Sequence, residues 1–247
     1  AEAYNNLGSA LKEQGKLEEA IGHYRQALAV QPDYAEAYNN LGSALKEQGK
    51  LEEAIGHYRQ ALAVQPDYAE AYNNLGSALK EQGKLEEAVA QYQRAILLKP
   101  DFDAAYFNLG MVLGEQGRLD EAIAYYRQVI ARKPAYPEAY NNLGAAVISQ
   151  GKVEEAIAYY RQAITLRPAF VEAHTNLGNA LYDQGKLEEA IAAYRRAFEL
   201  QPSDGLRIKI ATRLPIIFES AQELMAARAK FETGVTALMQ EELRLKD

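Results

Sequence analysis

Six asparagines stand 34 residues apart: Asn6, Asn40, Asn74, Asn108, Asn142 and Asn176. A carboxamide carries both a donor and an acceptor, so a row of them can grip the backbone of an extended peptide whatever its side chains. Asparagine in a helix interior costs roughly half a kcal/mol against alanine, so six copies need a reason. Two readings stand open. Either the amides bond a neighbouring helix or simply arrived by duplication, or they form a peptide-binding ladder. The diverged copies keep asparagine while nearby positions change, which favours the ladder.

Those changes are themselves chemical. Where the first copy has Asn5, Ser9 and Lys12, the fourth has Phe107, Met111 and Gly114. Ile148 and Tyr182 occupy the Lys12 place in the next two. Apolar side chains on an otherwise polar surface are what a peptide anchor would meet. We expect an apolar spot around Phe107, Met111 and Ile148, with Tyr182 beyond and amides beside it. The competing reading packs these side chains beneath their neighbours.

No constellation for catalysis, metal or cofactor emerges. His23 and His57 are copies of one outward position, and no histidine pair has metal-ligand spacing on a helix. Gly15-Lys16-Leu17 has the wrong glycine spacing for a phosphate loop, and leucine stands where Ser or Thr is needed. It recurs as Gly49-Lys50 and Gly185-Lys186, which marks a turn between helices. The Glu18-Glu19 pair suits the first turn of a helix.

The elements that carry these residues follow from a 34-residue period. Ala1–Tyr34 and Ala35–Tyr68 are identical, and the third copy stays identical through Ala88. Recent gene duplication and deliberate duplication would leave the same text. Within one copy, Ala3, Tyr4, Leu7, Gly8 and Leu11 recur at helical spacing up to a break at Gly15-Lys16. A second run at Ala20, Ile21, Tyr24, Ala27 and Leu28 stops at Pro32. Each copy is therefore two antiparallel helices joined by a short turn. Gly8 and Ala20 leave room where the helices cross, and Tyr24 fills the gap. Units of this kind bury their apolar faces only by stacking. The expected divisions are residues 1–34, 35–68, 69–102, 103–136, 137–170 and 171–204.

After Pro202 the period ends. A short helix is expected before Pro215, then a long one from Ser220, with Glu223 completing a capping box. Leu224, Phe231, Val235, Leu238 and Leu245 give the long helix an apolar stripe. Residues 205–247 thus read as a cap over the last repeat.

Composition limits the partners. The chain has 247 residues, 48% hydrophobic and 25% charged, a net charge of −7 and no cysteine. No disulfide or thiolate metal site is available, and a reducing, cytoplasmic setting fits. No apolar run approaches the roughly 18 residues that span a bilayer, so no membrane partner is expected. The negative charge sits in the first, second, third and sixth repeats, and no face gathers Lys and Arg, which argues against nucleic acid. The balance mildly favours a basic partner. Ala1 opens directly into a repeat, so the chain reads as cut from something longer or as engineered. Tyr4, Leu7 and Leu11 would then lie near an open apolar end, through which copies could self-associate as a homo-oligomer.

Glycine at 8, 42, 76, 110, 144 and 178, alanine at 20, 54, 88, 122, 156 and 190, and proline at 32, 66, 100, 134, 168 and 202 form the pattern of the tetratricopeptide repeat, and residues 1–204 resemble that family. Tyrosine or His174 replaces its usual tryptophan, and Val129 stands where the other copies have alanine. The resemblance implies an all-α fold: a right-handed α-solenoid of six helix–turn–helix repeats with C-terminal capping helices. It also implies that first helices line the concave groove, in the first repeat through Glu2, Asn5, Asn6, Ser9, Lys12 and Glu13. Chaperone-binding members clamp a terminal carboxylate with Lys and Arg there. Glu2, Asn5, Glu36 and Asn39 supply no such set, so this clamp is not expected.

Asp204 to Met239 resembles the segment joining repeats to catalytic domain in bacterial relatives of O-linked N-acetylglucosamine transferase and SPINDLY. In that family the repeats hold protein substrates, and an asparagine ladder lines the superhelix. The six asparagines above fall on the matching position. No residue here corresponds to the catalytic domain. The resemblance therefore implies a protein- or peptide-binding scaffold, not an enzyme.

Overall fold

Each periodic run becomes a helix in the computed structural model, which describes residues 1–212 together with 228, 229, 232, 233 and 236. The chain divides into two units, Ala1–Arg132 and Lys133–Asp247. The first unit holds α1 (Glu2–Glu13), α2 (Leu17–Val30), α3 (Ala35–Glu47), α4 (Leu51–Val64), α5 (Ala69–Glu81), α6 (Leu85–Leu98), α7 (Asp103–Glu115) and α8 (Leu119–Arg132). The second holds α9 (Pro137–Ile148), α10 (Val153–Leu166), α11 (Val171–Asp183), α12 (Leu187–Leu200) and α13 (Asp204–Thr212). The described residues contain no strand, and the fold is an all-α solenoid.

Local chemistry sets the helix ends. After α1 the Gly15 N–H donates to the Lys12 carbonyl at 2.9 Å, and the Lys16 N–H donates to the Leu11 carbonyl at 3.0 Å. This Schellman pattern needs a left-handed residue, and Gly15 takes φ +74° without a Cβ penalty. At the end of α2, Gln31 is extended (φ −136°, ψ 93°), the conformation a following proline imposes.

Packing within a hairpin is equally specific. A Cβ on Gly8 would lie 2.7 Å from the Tyr24 ring, so only glycine lets α1 approach α2 over a buried tyrosine. Ala20 and Ala27 are buried beside it. Between hairpins of one unit, the second helix packs on the next first helix: α2 on α3, α4 on α5 and α6 on α7 in the first unit, and α10 on α11 in the second. The position of Leu7 is buried in every later repeat, at Leu41, Leu75, Leu109, Leu143 and Leu177. Leu7 itself is 46% exposed and Tyr4 40%, while Leu11 is buried.

The short helix expected after Pro202 is α13, which packs on α12 and buries Leu206. Its Lys209 donates from Nζ to Asn179 Oδ1 at 2.9 Å and lies 5.4 Å from the centre of the Tyr194 ring. The Ser220–Glu223 capping box and the stripe Leu224, Phe231, Val235, Leu238 and Leu245 lie outside the described residues. His174, in a tyrosine position, is buried, with Nε2 2.9 Å from the Pro168 carbonyl oxygen.

Candidate functional site

Neighbouring asparagines on one first helix have separate environments. One residue of helix turns the side chain by about 100°, enough to send Asn5 into the repeat interface and leave Asn6 outside it. Asn5 is fully buried, with Asn39 and Asn141 nearly so. The expectation that Asn5 lines the groove is therefore corrected: it joins repeats. Its Nδ2 donates to Glu36 Oε1 at 3.0 Å and its Oδ1 accepts from Asn40 Nδ2 at 3.0 Å. Asn141 repeats both bonds, donating to Glu172 at 3.1 Å and accepting from Asn176 at 3.0 Å.

The six recurrent asparagines are exposed (Asn6) or half-buried (Asn40, Asn74, Asn108, Asn142 and Asn176). Asn74 donates to Asn39 at 2.9 Å, and Asn108 to Asn73 at 2.9 Å. Asn142 instead accepts from its neighbour Asn141 at 3.3 Å. The bond to a neighbouring helix is thus present for Asn40, Asn74, Asn108 and Asn176. It consumes one of the two N–H groups of each amide, and the second N–H remains; the Asn74 oxygen also accepts from Asn73 Nδ2 at 3.5 Å. The expectation from sequence did not separate the buried column from the half-buried one. The available signal was a glutamate 31 residues beyond Asn5 and Asn141.

Below the amides runs a row of ion pairs. Lys12 meets Glu47 at 3.0 Å, Lys46 meets Glu81 at 2.9 Å and Lys80 meets Glu115 at 2.9 Å. Lys46 also reaches Ser77 Oγ at 2.9 Å. Behind the row, the Tyr24 hydroxyl donates to Ser9 Oγ at 3.3 Å, and Ser9 donates to the Asn5 carbonyl at 3.2 Å. Tyr58 and Ser43 repeat the first of these bonds at 3.3 Å. Burial pushes the Tyr58 hydroxyl up to about 12, with Glu81 and Glu47 adding to it. Tyr24 and Tyr92 are raised for the same reason, so all three stay protonated donors.

In the first unit, Phe107 and Met111 replace Asn5 and Ser9 on α7, both half-buried. The Phe107 ring tilts against Tyr126 with centroids 5.9 Å apart, so part of its surface packs within its own hairpin. In the second unit, Ile148 ends α9 and Tyr182 lies near the end of α11, both half-buried. Among the described residues, no group of three or more His, Cys, Asp or Glu could hold a metal ion. No described helix is long and apolar enough to cross a membrane.

Helical hairpins closed by Schellman turns and crossed at a Gly–Tyr contact define a helix–turn–helix repeat protein. The family model described as the C-terminal domain of cilia and flagella-associated protein 70, a tetratricopeptide-repeat model, matches residues 1–205, and the chain belongs to this tetratricopeptide-repeat family. The crystal structure of MamA is 30% identical and superposes with a TM-score of 0.60, covering 65% of this chain and 94% of that one. PilF of Pseudomonas aeruginosa is 22% identical, with a TM-score of 0.74 over 91% of this chain and 96% of its own. YrrB, described as a TPR protein with an unusual peptide-binding site, is 22% identical, with a TM-score of 0.59 over 74% of this chain and 94% of its own. The last two show the shared fold. No curated protein matches the sequence.

Proposed function

We propose that this chain is a protein-interaction scaffold that holds extended peptide segments along its first helices through the recurrent asparagines. The observation that carries this reading is the fixing of the amides. Asn40, Asn74 and Asn108 are each oriented by a bond to the preceding repeat, yet each keeps an N–H donor, and the Asn74 oxygen, which accepts one bond from Asn73, keeps a second lone pair. An amide already held in place loses little further freedom when a ligand arrives. Because it would meet main-chain groups, the ladder accepts many sequences. Phe107 and Met111 in one unit, and Ile148 and Tyr182 in the other, add apolar surface for anchor side chains. The description of YrrB as a peptide-binding protein of the same fold supports the reading.

A finer placement rests on the resemblance of Asp204 to Met239 alone: the chain as the substrate-recognition region ahead of a glycosyltransferase domain in a cytoplasmic protein. Catalysis would then belong to that other domain.

The test is an array of unrelated short peptides probed with the wild-type chain and with an Asn40→Ala/Asn74→Ala/Asn108→Ala variant of matched helicity. The reading expects the wild type to bind many peptides and the variant to lose most of them. Equal binding by both makes the row purely a repeat-to-repeat fastening.

A further inference from the structure

Each second helix sets a tyrosine against the glycine of its own first helix, and the tyrosine hydroxyl is placed to meet the residue after that glycine. Tyr24 donates to Ser9 Oγ and Tyr58 to Ser43 Oγ, both at 3.3 Å, and Tyr194 donates to Asn179 Oδ1 at 2.9 Å. Tyr160 is seated the same way, since a Cβ on Gly144 would lie 2.6 Å from its ring, as one on Gly178 would from Tyr194. The residue after Gly144, however, is Ala145, whose side chain has no acceptor. Among the described residues the Tyr160 hydroxyl has no hydrogen-bond partner, although the residue is only 2% exposed. Burial, and then Glu172, pushes this hydroxyl up to about 12, so it remains a protonated donor. Buried polar groups are rarely left unpaired, and this one asks for an acceptor.

The hydroxyl is not sealed in. Among the described residues the sealed side-chain atoms without a partner are Oε1 of Gln48, Gln82 and Gln184, and Tyr160 is not one of them. Ala145 is exposed, where Ser9, Ser43 and Asn179 are half-buried. The first unit shows what usually fills this place. A pocket of about 280 Å³ there is lined by Ser9, Lys12, Glu13, Tyr24, Asn40 and Glu47, and the Tyr24–Ser9 bond and the Lys12–Glu47 ion pair satisfy its polar groups. Four repeats on, the same six positions hold Ala145, Ile148, Ser149, Tyr160, Asn176 and Asp183. Alanine and isoleucine replace serine and lysine, so neither bond can form. The notch keeps an apolar wall, one donor at Tyr160, and acceptor oxygens on Asp183 and on Asn176, whose Nδ2 is directed to Asn141 at 3.0 Å.

We infer that this notch of α9, α10 and α11 seats a carboxamide side chain, glutamine or asparagine, of a bound peptide. This rests on the peptide-scaffold reading and adds a side-chain preference to it. The methylene stem lies along Ala145 and Ile148. The amide oxygen accepts from Tyr160, the part Asn179 Oδ1 plays for Tyr194. The amide nitrogen then donates to the Asp183 carboxylate or to Asn176 Oδ1. A purely apolar side chain would leave Tyr160 unpaired, and a carboxylate would meet the like charges of Asp183 and Glu172.

The experiment titrates the full chain into three labelled peptides of one glycine–alanine host that differ only in carrying glutamine, methionine or glutamate, read by fluorescence anisotropy. The glutamine peptide should bind about tenfold more tightly than the methionine peptide, because a site rejects an analogue that leaves its polar groups unpaired. The glutamate peptide should bind most weakly. Tyr160→Phe keeps the ring and has no hydrogen bond to lose, so it should hold its helicity while bringing the glutamine and methionine peptides to equal affinity. Ala145→Ser gives Tyr160 an internal acceptor, as Ser9 does for Tyr24, and should shrink the preference too. Equal binding of glutamine to either methionine or glutamate in the wild type overturns the carboxamide preference and leaves the scaffold intact. Binding of no peptide overturns both, and a glutamine preference that survives Tyr160→Phe overturns the assigned hydroxyl.

Discussion

Asn5 and Asn6 sit side by side on α1, and their burial gives them opposite costs of removal. Asn5 has two partners in the next repeat, so Asn5→Ala strands Glu36 and Asn40 and should destabilise by about 1–3 kcal/mol. Asn6→Ala, exposed, should stay within about 0.5 kcal/mol and gain slightly from alanine's helix propensity. Urea titration of the two variants separates the fastening column from the presenting one. The tyrosines make a second prediction at this scale. Tyr58 and Tyr160, almost wholly buried, are pushed up to about 12 from an ordinary 10.0, chiefly by burial. A phenol whose folded pKa is raised contributes stability fully below pH 10, and that contribution is lost as pH rises through about 12. Each is worth on the order of 2 kcal/mol. The urea midpoint should therefore be flat between neutral pH and 10 and fall steeply above it, tracking tyrosinate absorbance. A midpoint unchanged to pH 12 would contradict the buried placement.

Among the elements, identical repeats provide an internal control that few proteins offer. Leu7 and Leu41 have the same neighbours in sequence, yet Leu7 is 46% exposed and Leu41 1%. Leu41→Ala should cost about 2–5 kcal/mol by leaving a cavity, while Leu7→Ala should cost under about 1 kcal/mol. Equal losses in thermal or urea melts would mean that α2 does not cover α3 as described. Legibility followed the range of the interaction. The Gly15 turn, the Pro32 stop and the Gly8–Tyr24 crossing could be read in advance because they are set by sterics within one hairpin. The separation of Asn5 from Asn6 was far less legible, because it depends on which of two adjacent asparagines meets the next hairpin, and Glu36 is the signal that hints at it. Phe107 was readable as an apolar intrusion on a polar helix. Its contact with Tyr126 was not, since that depends on the angle between α7 and α8.

At the scale of the whole first unit, the array is built by neighbour contacts: among the described residues α1 touches only α2 and α3, and α3 touches α1, α2, α4 and α5. Stability in such an array is close to a sum of repeats and interfaces. Deleting residues 35–68 joins Tyr34 to Ala69, whose repeat begins with the same residues as the one removed, so the α2–α3 contact is recreated by identical side chains. The shortened chain should keep its helicity per residue, and its urea m-value should fall by about one seventh, in proportion to the surface lost. A collapse of helicity would mean that the repeats depend on more than their neighbours. The deletion also removes Asn40 and so one rung of the ladder, which should weaken peptide binding without abolishing it.

The central claim, that the asparagine row meets the peptide main chain, is tested most directly by calorimetric titration of a binding peptide and its backbone N-methylated form. Methylation removes main-chain donors and keeps every side chain. The wild type should lose about tenfold or more in affinity on methylation, and the Asn40→Ala/Asn74→Ala/Asn108→Ala variant should lose far less, because the amides and the main chain act on each other. An equal loss in both proteins would show that the asparagines fasten the repeats and that the peptide is held by something else.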